Sequence, residues 1–305
     1  MYERFQEKFQ VPKCAQSILA SMFSKDAFFF VENIDKEVFD ANDIQALIPH
    51  DPDFEKTAYK DGLISLTEES FEDNPLYRLN NFYGALDVFV VSKQDIYRTF
   101  EKETRLALDE WYFQAYLNGL DPNLSTAPTK DRILSLEQTC DFIDAQKRDA
   151  YLNFCDCRSL RGDCGLTTRT CITYRSGINT FVHRGHSISL SKEEAKEVVR
   201  KADAAGLMHT VNPNGICNCC GDCCYLFRAQ KARNSTGLWP KAQYQVFVNE
   251  EKCIGCGKCA RRCHFSVFKM ENRKAKAAHL KSCVGCGICA TGCPVDAIEM
   301  KERIV

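Results

Sequence analysis

Apolar positions along the chain alternate between helical spacing and short strand-like runs, which predicts a mixed α and β protein. The clearest helix is SLSKEEAKEVVRKADAAGLMH, residues 189–209: apolar residues recur at helical intervals, Ser191 with Glu194 makes a capping box, and Gly206 supplies the C-terminal break. Residues 34–48, IDKEVFDANDIQALI, predict another helix, and DFEKTAYKDG a second short one, with strand-like pieces around LISL and LYRLNNFY. A further helix is expected over EKETRLALDEWYFQAYLNGL, followed by the linker DPNLSTAPTKD, a natural boundary before the cysteine-rich part. The longest purely apolar runs, such as AFFFV, fall far short of the roughly 20 residues of a membrane span.

With 305 residues, 45% of them hydrophobic and 27% charged, the chain has room for several soluble domains. Its start, MYERFQEKFQVPKCAQ, has no apolar signal-like region, so a cytoplasmic protein is expected. Nineteen cysteines then change the picture. Their clustering at gaps of two and three residues, with an odd total, points away from disulfides and toward thiolate ligands for iron or zinc. The net charge of −1 hides an asymmetry: residues 31–75 hold thirteen acids and three lysines, whereas residues 227–282 hold thirteen Lys/Arg and three Glu. Cations near an anionic thiolate cluster would help to hold it.

From residue 244 the chain repeats itself at an offset of 30 residues: EKCIGCGKCARRCHFSVFKM aligns with KSCVGCGICATGCPVDAIEM. Each half has C-x2-C-x2-C-x3-C. Three thiolates in a tight Gly-containing loop wrap three corners of one cube, and the fourth ligates the cube of the other half. This assigns Cys253, Cys256, Cys259 and Cys293 to one [4Fe-4S] cluster, and Cys283, Cys286, Cys289 and Cys263 to a second. The segment resembles the two-cluster bacterial ferredoxin module, with one departure: His264 stands where the module usually has proline, a change expected to affect the local turn and the cluster potential.

Upstream, Cys155, Cys157, Cys164 and Cys171 form C-x-C-x6-C-x6-C, and the run NGICNCCGDCC places Cys217, Cys219, Cys220, Cys223 and Cys224 within eight residues. All nine are candidate metal ligands. Two divisions stay open: two further iron-sulfur clusters with one thiol left over, or one cluster drawing on both segments with several spare thiols, zinc being the less favoured metal. The adjacent pairs Cys219/Cys220 and Cys223/Cys224 have side chains that diverge, so the five cannot all serve one centre. Cys219, Cys224 and His209 are the candidates for a reactive site, with His183 and His186 as further proton donors or ligands. Cys14 and Cys140 lie alone in apolar helical contexts and are expected to be core residues. Together, CDCR, CITYRSGINTFVHRGHSISLSKEEA and GLMHTVNPNGICNCCGDCC resemble a family of cysteine-rich 4Fe-4S proteins of anaerobic bacteria and archaea. That resemblance implies a winged-helix-like N-terminal part joined to a C-terminal two-cluster ferredoxin module, without an agreed reaction.

The fold class expected is therefore α+β and multi-domain: 1–125 a winged-helix-like domain with a helical extension, 126–240 an α/β cysteine-rich metal-binding domain, and 241–305 a 2[4Fe-4S] ferredoxin fold. The acidic N-terminal region repels phosphate, which argues against DNA as a partner and for a docking role. The function expected is low-potential electron relay from the ferredoxin module to the central site, with a redox protein (ferredoxin, flavoprotein or reductase) as partner. Surplus thiols favour an iron-sulfur reductase acting on a small molecule. The absence of a Walker A sequence, or of G-x-G-x-x-G between strand and helix, favours a dedicated carrier. The winged-helix resemblance alone supports a redox-sensing regulator.

Overall fold

The computed structural model describes residues 2–71, 73–162 and 164–303. The chain forms two compact units that interleave in sequence: Met1–Phe113 with Ser159–Arg161 and Ser176–Ser187, and Gln114–Arg158 with Gly162–Arg175 and Ile188–Val305.

In the first unit, helices α1 (Glu3–Lys8), α2 (Leu19–Met22), α3 (Lys25–Asn33), α4 (Ala41–Leu47) and α5 (Phe54–Lys60) lead to an antiparallel pair, β1 (Ile64–Leu66) and β2 (Tyr77–Leu79). Helices α6 (Phe82–Ser92), α7 (Gln94–Arg98) and α8 (Lys102–Asn118) follow, the division between the units falling within α8. Phe5, Phe9, Phe30, Phe39 and Phe82 are fully buried or nearly so and form an aromatic core. The helix expected over residues 34–48 begins only at Ala41. Asp40 caps it through a capping box with Asp43, and Phe39 exchanges both backbone hydrogen bonds with Tyr77 (3.0 and 2.8 Å), which holds the preceding residues extended. The segment Ser176–Ser187 is tied into this unit by buried Arg184, whose guanidinium donates to Ile64 O (3.1 Å) and Ser65 Oγ (3.0 Å) and stacks 4.4 Å above the Tyr59 ring.

The second unit is built on a six-stranded antiparallel sheet of β3 (Arg132–Leu134), β4 (Ala150–Phe154), β5 (Arg169–Thr173), β6 (Ile188–Leu190), β7 (Met208–Asn212) and β8 (Gly215–Cys219), in the order β3-β7-β8-β5-β4-β6. Helices α9 (Leu136–Ala145) and α11 (Lys192–Ala204) pack together against it, burying Ile143, Ala195 and Val199 on Leu134, Ile172, Val211 and Ile216. Each buried Ile, Leu or Val among them contributes roughly 1.5–3 kcal/mol. The Ser191–Glu194 capping box starts α11, and Gly206, at φ +88°, lies just beyond its end. Two short helices leave the sheet where the cysteines lie: α10 (Asp156–Arg161) after β4 and α12 (Tyr225–Ala232) after β8.

The C-terminal repeat folds as two matching halves. Strand β9 (Tyr244–Val248) pairs antiparallel with β12 (Ile298–Glu302), while β10 (Phe268–Glu271) pairs with β11 (Lys274–Ala277). Each C-x2-C-x2-C loop leads into a short helix, α13 (Lys258–Arg262) or α14 (Ile288–Thr291). The chain thus mixes helix and sheet and ends in a ferredoxin-like domain. Among the described residues no helix is long and apolar enough to cross a membrane.

Candidate metal centres

The halves of the C-terminal repeat exchange cysteines. One apolar cavity is lined by Cys253, Cys256 and Cys259 with Cys293, and another by Cys283, Cys286 and Cys289 with Cys263. Backbone N–H groups point at the sulfurs: Ala275 toward Cys253 (3.5 Å), Ala297 toward Cys293 (3.3 Å) and Val267 toward Cys263 (3.5 Å). Such donors stabilise a thiolate. Gly255 and Gly285, at φ +73° and +77°, fit against backbone so closely that a Cβ would stand 2.0 Å from Arg273 O and 2.6 Å from Tyr244 O. Burial pushes the Cys286 thiol up to about 12, so a bare thiolate is disfavoured and a cationic core is needed to hold it ionised. Four thiols around an apolar cavity with N–H···S donors fit a four-iron cluster in both places. The two sites differ in exposure, Cys256 being exposed and Cys286 only partly so.

The nine central cysteines do not sort by segment. Six of them form a closed ring of thiol contacts: Cys155 touches Cys157 and Cys171, Cys157 touches Cys224, Cys224 touches Cys219, Cys219 touches Cys217, and Cys217 touches Cys171. Strand periodicity puts Cys217 and Cys219 on one face of β8, and the pairing of Ile172 with Ile216 carries Cys171 toward Cys217. An irregularity of the β4–β5 pairing at Asn153/Phe154 precedes Cys155, whose N–H donates to Thr168 O at 2.7 Å. Contacts from Cys171 and then Cys219 lower Cys217 to about 6; Cys157 and Cys219 hold Cys224, the N-cap of α12, well below the ordinary thiol range. The ring reaches the surface at Cys217.

The other three, Cys164, Cys220 and Cys223, form a separate group with all three sulfurs within 4.8 Å of one another. The adjacent pairs therefore part company, Cys219 and Cys224 going to the ring and Cys220 and Cys223 to the trio. Contact with Cys223, helped by its N–H at 3.3 Å and by the Arg158 charge, brings Cys220 down to about 6. Arg158, a residue that sequence reasoning missed, is almost wholly buried and also donates to Thr167 O (2.6 Å), Thr170 Oγ1 (3.1 Å) and Asn218 O (2.6 Å). Tyr116 stands near the ring, its phenol pushed up first by burial and then by Cys224 and Cys157.

The histidines are placed elsewhere. His183 hydrogen-bonds the Tyr59 hydroxyl (2.7 Å) and His186 the Lys60 carbonyl (2.7 Å), both within the first unit. His209 is fully buried, its Nδ1 on Asn218 Oδ1 (2.6 Å) and its Nε2 facing the Asp203 carboxylate at 3.7 Å, so it ties β7 and β8 to α11. Cys14 and Cys140 are half-buried, and burial raises both thiols.

The ferredoxin-like domain is joined to the central sheet around Cys263. Arg262 donates to Asp203 O (2.6 Å) and Ala204 O (3.1 Å), carbonyls at the C-terminus of α11, where positive charge is favoured. His264 Nε2 donates to Gly206 O at 2.9 Å. Its Cβ lies 2.4 Å from where a Cβ on Gly221 would be, and Gly221 is the residue between Cys220 and Asp222. At the matching position of the other half stands Pro294, so the mismatch between the repeats was the signal for this contact.

A family model described as "4Fe-4S dicluster domain" matches residues 246–300. Ferredoxin-2 of Desulfomicrobium norvegicum is 47% identical over 32 residues, which cover 10% of this chain and 54% of that protein. This chain thus spans about half the length of the curated relative it matches. No solved structure matches. With thiols brought together from both halves of its repeat, the C-terminal domain, residues 246–300, is similar to the 4Fe-4S dicluster type.

Proposed function

We propose that the protein relays low-potential electrons from its C-terminal domain to the central thiols, with Cys253, Cys256, Cys259 and Cys293 holding one [4Fe-4S] cluster and Cys283, Cys286, Cys289 and Cys263 a second. When bound, such clusters accept and donate single electrons. The observation that carries this reading is the seat of His264: next to a ligand of the second site, it hydrogen-bonds Gly206 and packs on Gly221, within the central cysteine run. At the other end Cys256 is exposed beside exposed Ile254, a surface suited to a redox partner protein. Electrons enter at Cys256 and leave past Cys263. The six-thiol ring, which draws its cysteines from both central segments, supplies the further iron-sulfur centre that is their destination. The N-terminal unit, with helices ahead of a two-stranded β pair, serves as a winged-helix-like docking domain.

The test is a rapid-mixing measurement in which a ferredoxin-type donor reduces the full-length protein and His264→Ala. The variant should keep its iron and its C-terminal clusters while the central signals are reduced at least about tenfold more slowly. An unchanged rate would sink the relay order.

A further inference from the structure

The trio Cys164, Cys220 and Cys223 differs from the other cysteine groups in its spacing. Among the described residues it is the group of three whose sulfurs all lie within 4.8 Å of one another; no three of the eight thiols in the C-terminal repeat, and no three in the ring, meet that limit. Thiolates that share one tetrahedral ion at a metal–sulfur distance of about 2.3 Å stand roughly 3.8 Å apart. Thiolates on separate corners of a cube stand farther apart, because each binds its own iron. Cys220-Gly-Asp-Cys223 is also a C-x2-C turn whose second N–H points at the first sulfur (3.3 Å), a ligand spacing suited to one ion. No fourth His, Cys, Asp or Glu joins the trio among the described residues.

We infer that Cys164, Cys220 and Cys223 bind a single divalent iron or zinc ion, leaving its fourth coordination position to a small soft ligand from solution, such as a thiol or cyanide. The inference rests on reading the central thiols as metal ligands but does not require the relay. Three protein ligands with one open position are the arrangement of a site that binds substrate, whereas structural sites are closed by four. Leu207 and Ala202 pack against Cys220 and Cys223, with Leu166 at the edge, so the surroundings are apolar and small. Cys220 and Cys223 are buried and Cys164 is partly exposed, which sets the approach on the Cys164 side. A dication with three thiolates carries one net negative charge, which buried Arg158 beside Cys220 offsets. Thiolate-rich ions of this kind prefer sulfur and carbon donors to hard oxygen ligands.

Full-length protein isolated without oxygen is analysed for iron, zinc and acid-labile sulfide beside Cys164→Ser, Cys220→Ser and Cys223→Ser, the C-terminal cluster spectrum reporting that each variant is folded. Each variant should lose about one metal ion per chain with sulfide unchanged. Joint loss of iron and sulfide, or full metal content, overturns the single-ion site. The wild type tests the open position without any variant: zinc-edge X-ray absorption, or the ⁵⁷Fe Mössbauer spectrum if the ion is iron, should show a lone thiolate-bound ion whose signature changes when cyanide is added. An unresponsive ion overturns the open position. Slow reduction of the central site in His264→Ala concerns the relay alone, so the two ideas fail separately.

Discussion

His264 and Gly221 meet so closely that a Cβ added to the glycine would stand 2.4 Å from the histidine Cβ. Gly221→Ala should therefore push the ferredoxin-like domain off its seat, at a cost of about 1–3 kcal/mol for the overpacking. His264→Gly removes both the hydrogen bond to Gly206 and the Cβ that the alanine would strike. The double variant should be less impaired than the sum of the two, because the alanine then has nothing to strike. Thermal unfolding and the rate of central-site reduction, measured over all four proteins, check this. Strict additivity would mean that the two residues do not bear on one another.

Asp87 in α6 supplies a pH test in the first unit. Burial pushes its carboxyl up to about 7, against the opposing effect of a hydrogen bond from Tyr112, and its Oδ1 has no hydrogen-bond partner among the described residues. The folded state thus holds this proton more tightly than the unfolded chain does. For an acid raised in this way, stability falls as pH climbs from the ordinary carboxylate range, about 4, up to the folded value near 7, and then levels off. Asp87→Asn should flatten that slope and raise the melting temperature at pH 8 relative to wild type. A variant that melts lower at pH 8, with the slope retained, would refute the assignment.

The cross-exchange of cysteines in the C-terminal repeat was legible because it depends on local spacing repeated at 30 residues, and α11 because its capping box and terminal glycine are local too. Other features rest on contacts distant in sequence. The stretch before Ala41 reads as helix in isolation, yet Phe39 finds its backbone partners on Tyr77. The split of the central cysteines into six and three follows from which strands pair: β5 beside β8 brings Cys171 to Cys217, and no periodicity within either segment encodes that neighbour. The divergence of adjacent side chains was readable; the destination of each was not. His264 was visible only as a mismatch with Pro294, and its use appeared once α11 and Gly221 were placed beside it.

If the ring is one centre, its members are equivalent in a way their sequence positions do not suggest. Cys171→Ser, from the first segment, and Cys219→Ser, from the second, should each lose iron and acid-labile sulfide together from the same central signal. Cys14→Ser and Cys140→Ser, whose thiols stand outside both groups, should lose neither. Iron and sulfide assays with electron paramagnetic resonance read the outcome. Distinct signals lost in Cys171→Ser and Cys219→Ser would divide the ring into two centres.

The unequal exposure of the two C-terminal sites sets an order of decay. Cys256 is exposed, while Cys286 is only partly so, and Cys283 and Cys289 beside it are buried. Oxygen and chelators reach a cluster through its exposed corner, and a thiolate accessible to solvent is the easier one to oxidise. Replacing Cys286 by Ser should remove the shielded cluster and leave the exposed one, whereas Cys256→Ser should do the reverse, each variant losing about four irons. The visible absorbance that remains from the C-terminal domain in Cys286→Ser should then bleach several-fold faster in air than that in Cys256→Ser. Because each variant retains a single C-terminal cluster, the comparison needs no resolution of overlapping bands, and the central centres contribute equally to both. Equal bleaching rates would show that the exposed Cys256 corner is not the route of attack, and would weaken the argument that electrons are received there. Slower bleaching in Cys286→Ser would reverse the order and place the vulnerable corner at Cys286 or Cys263.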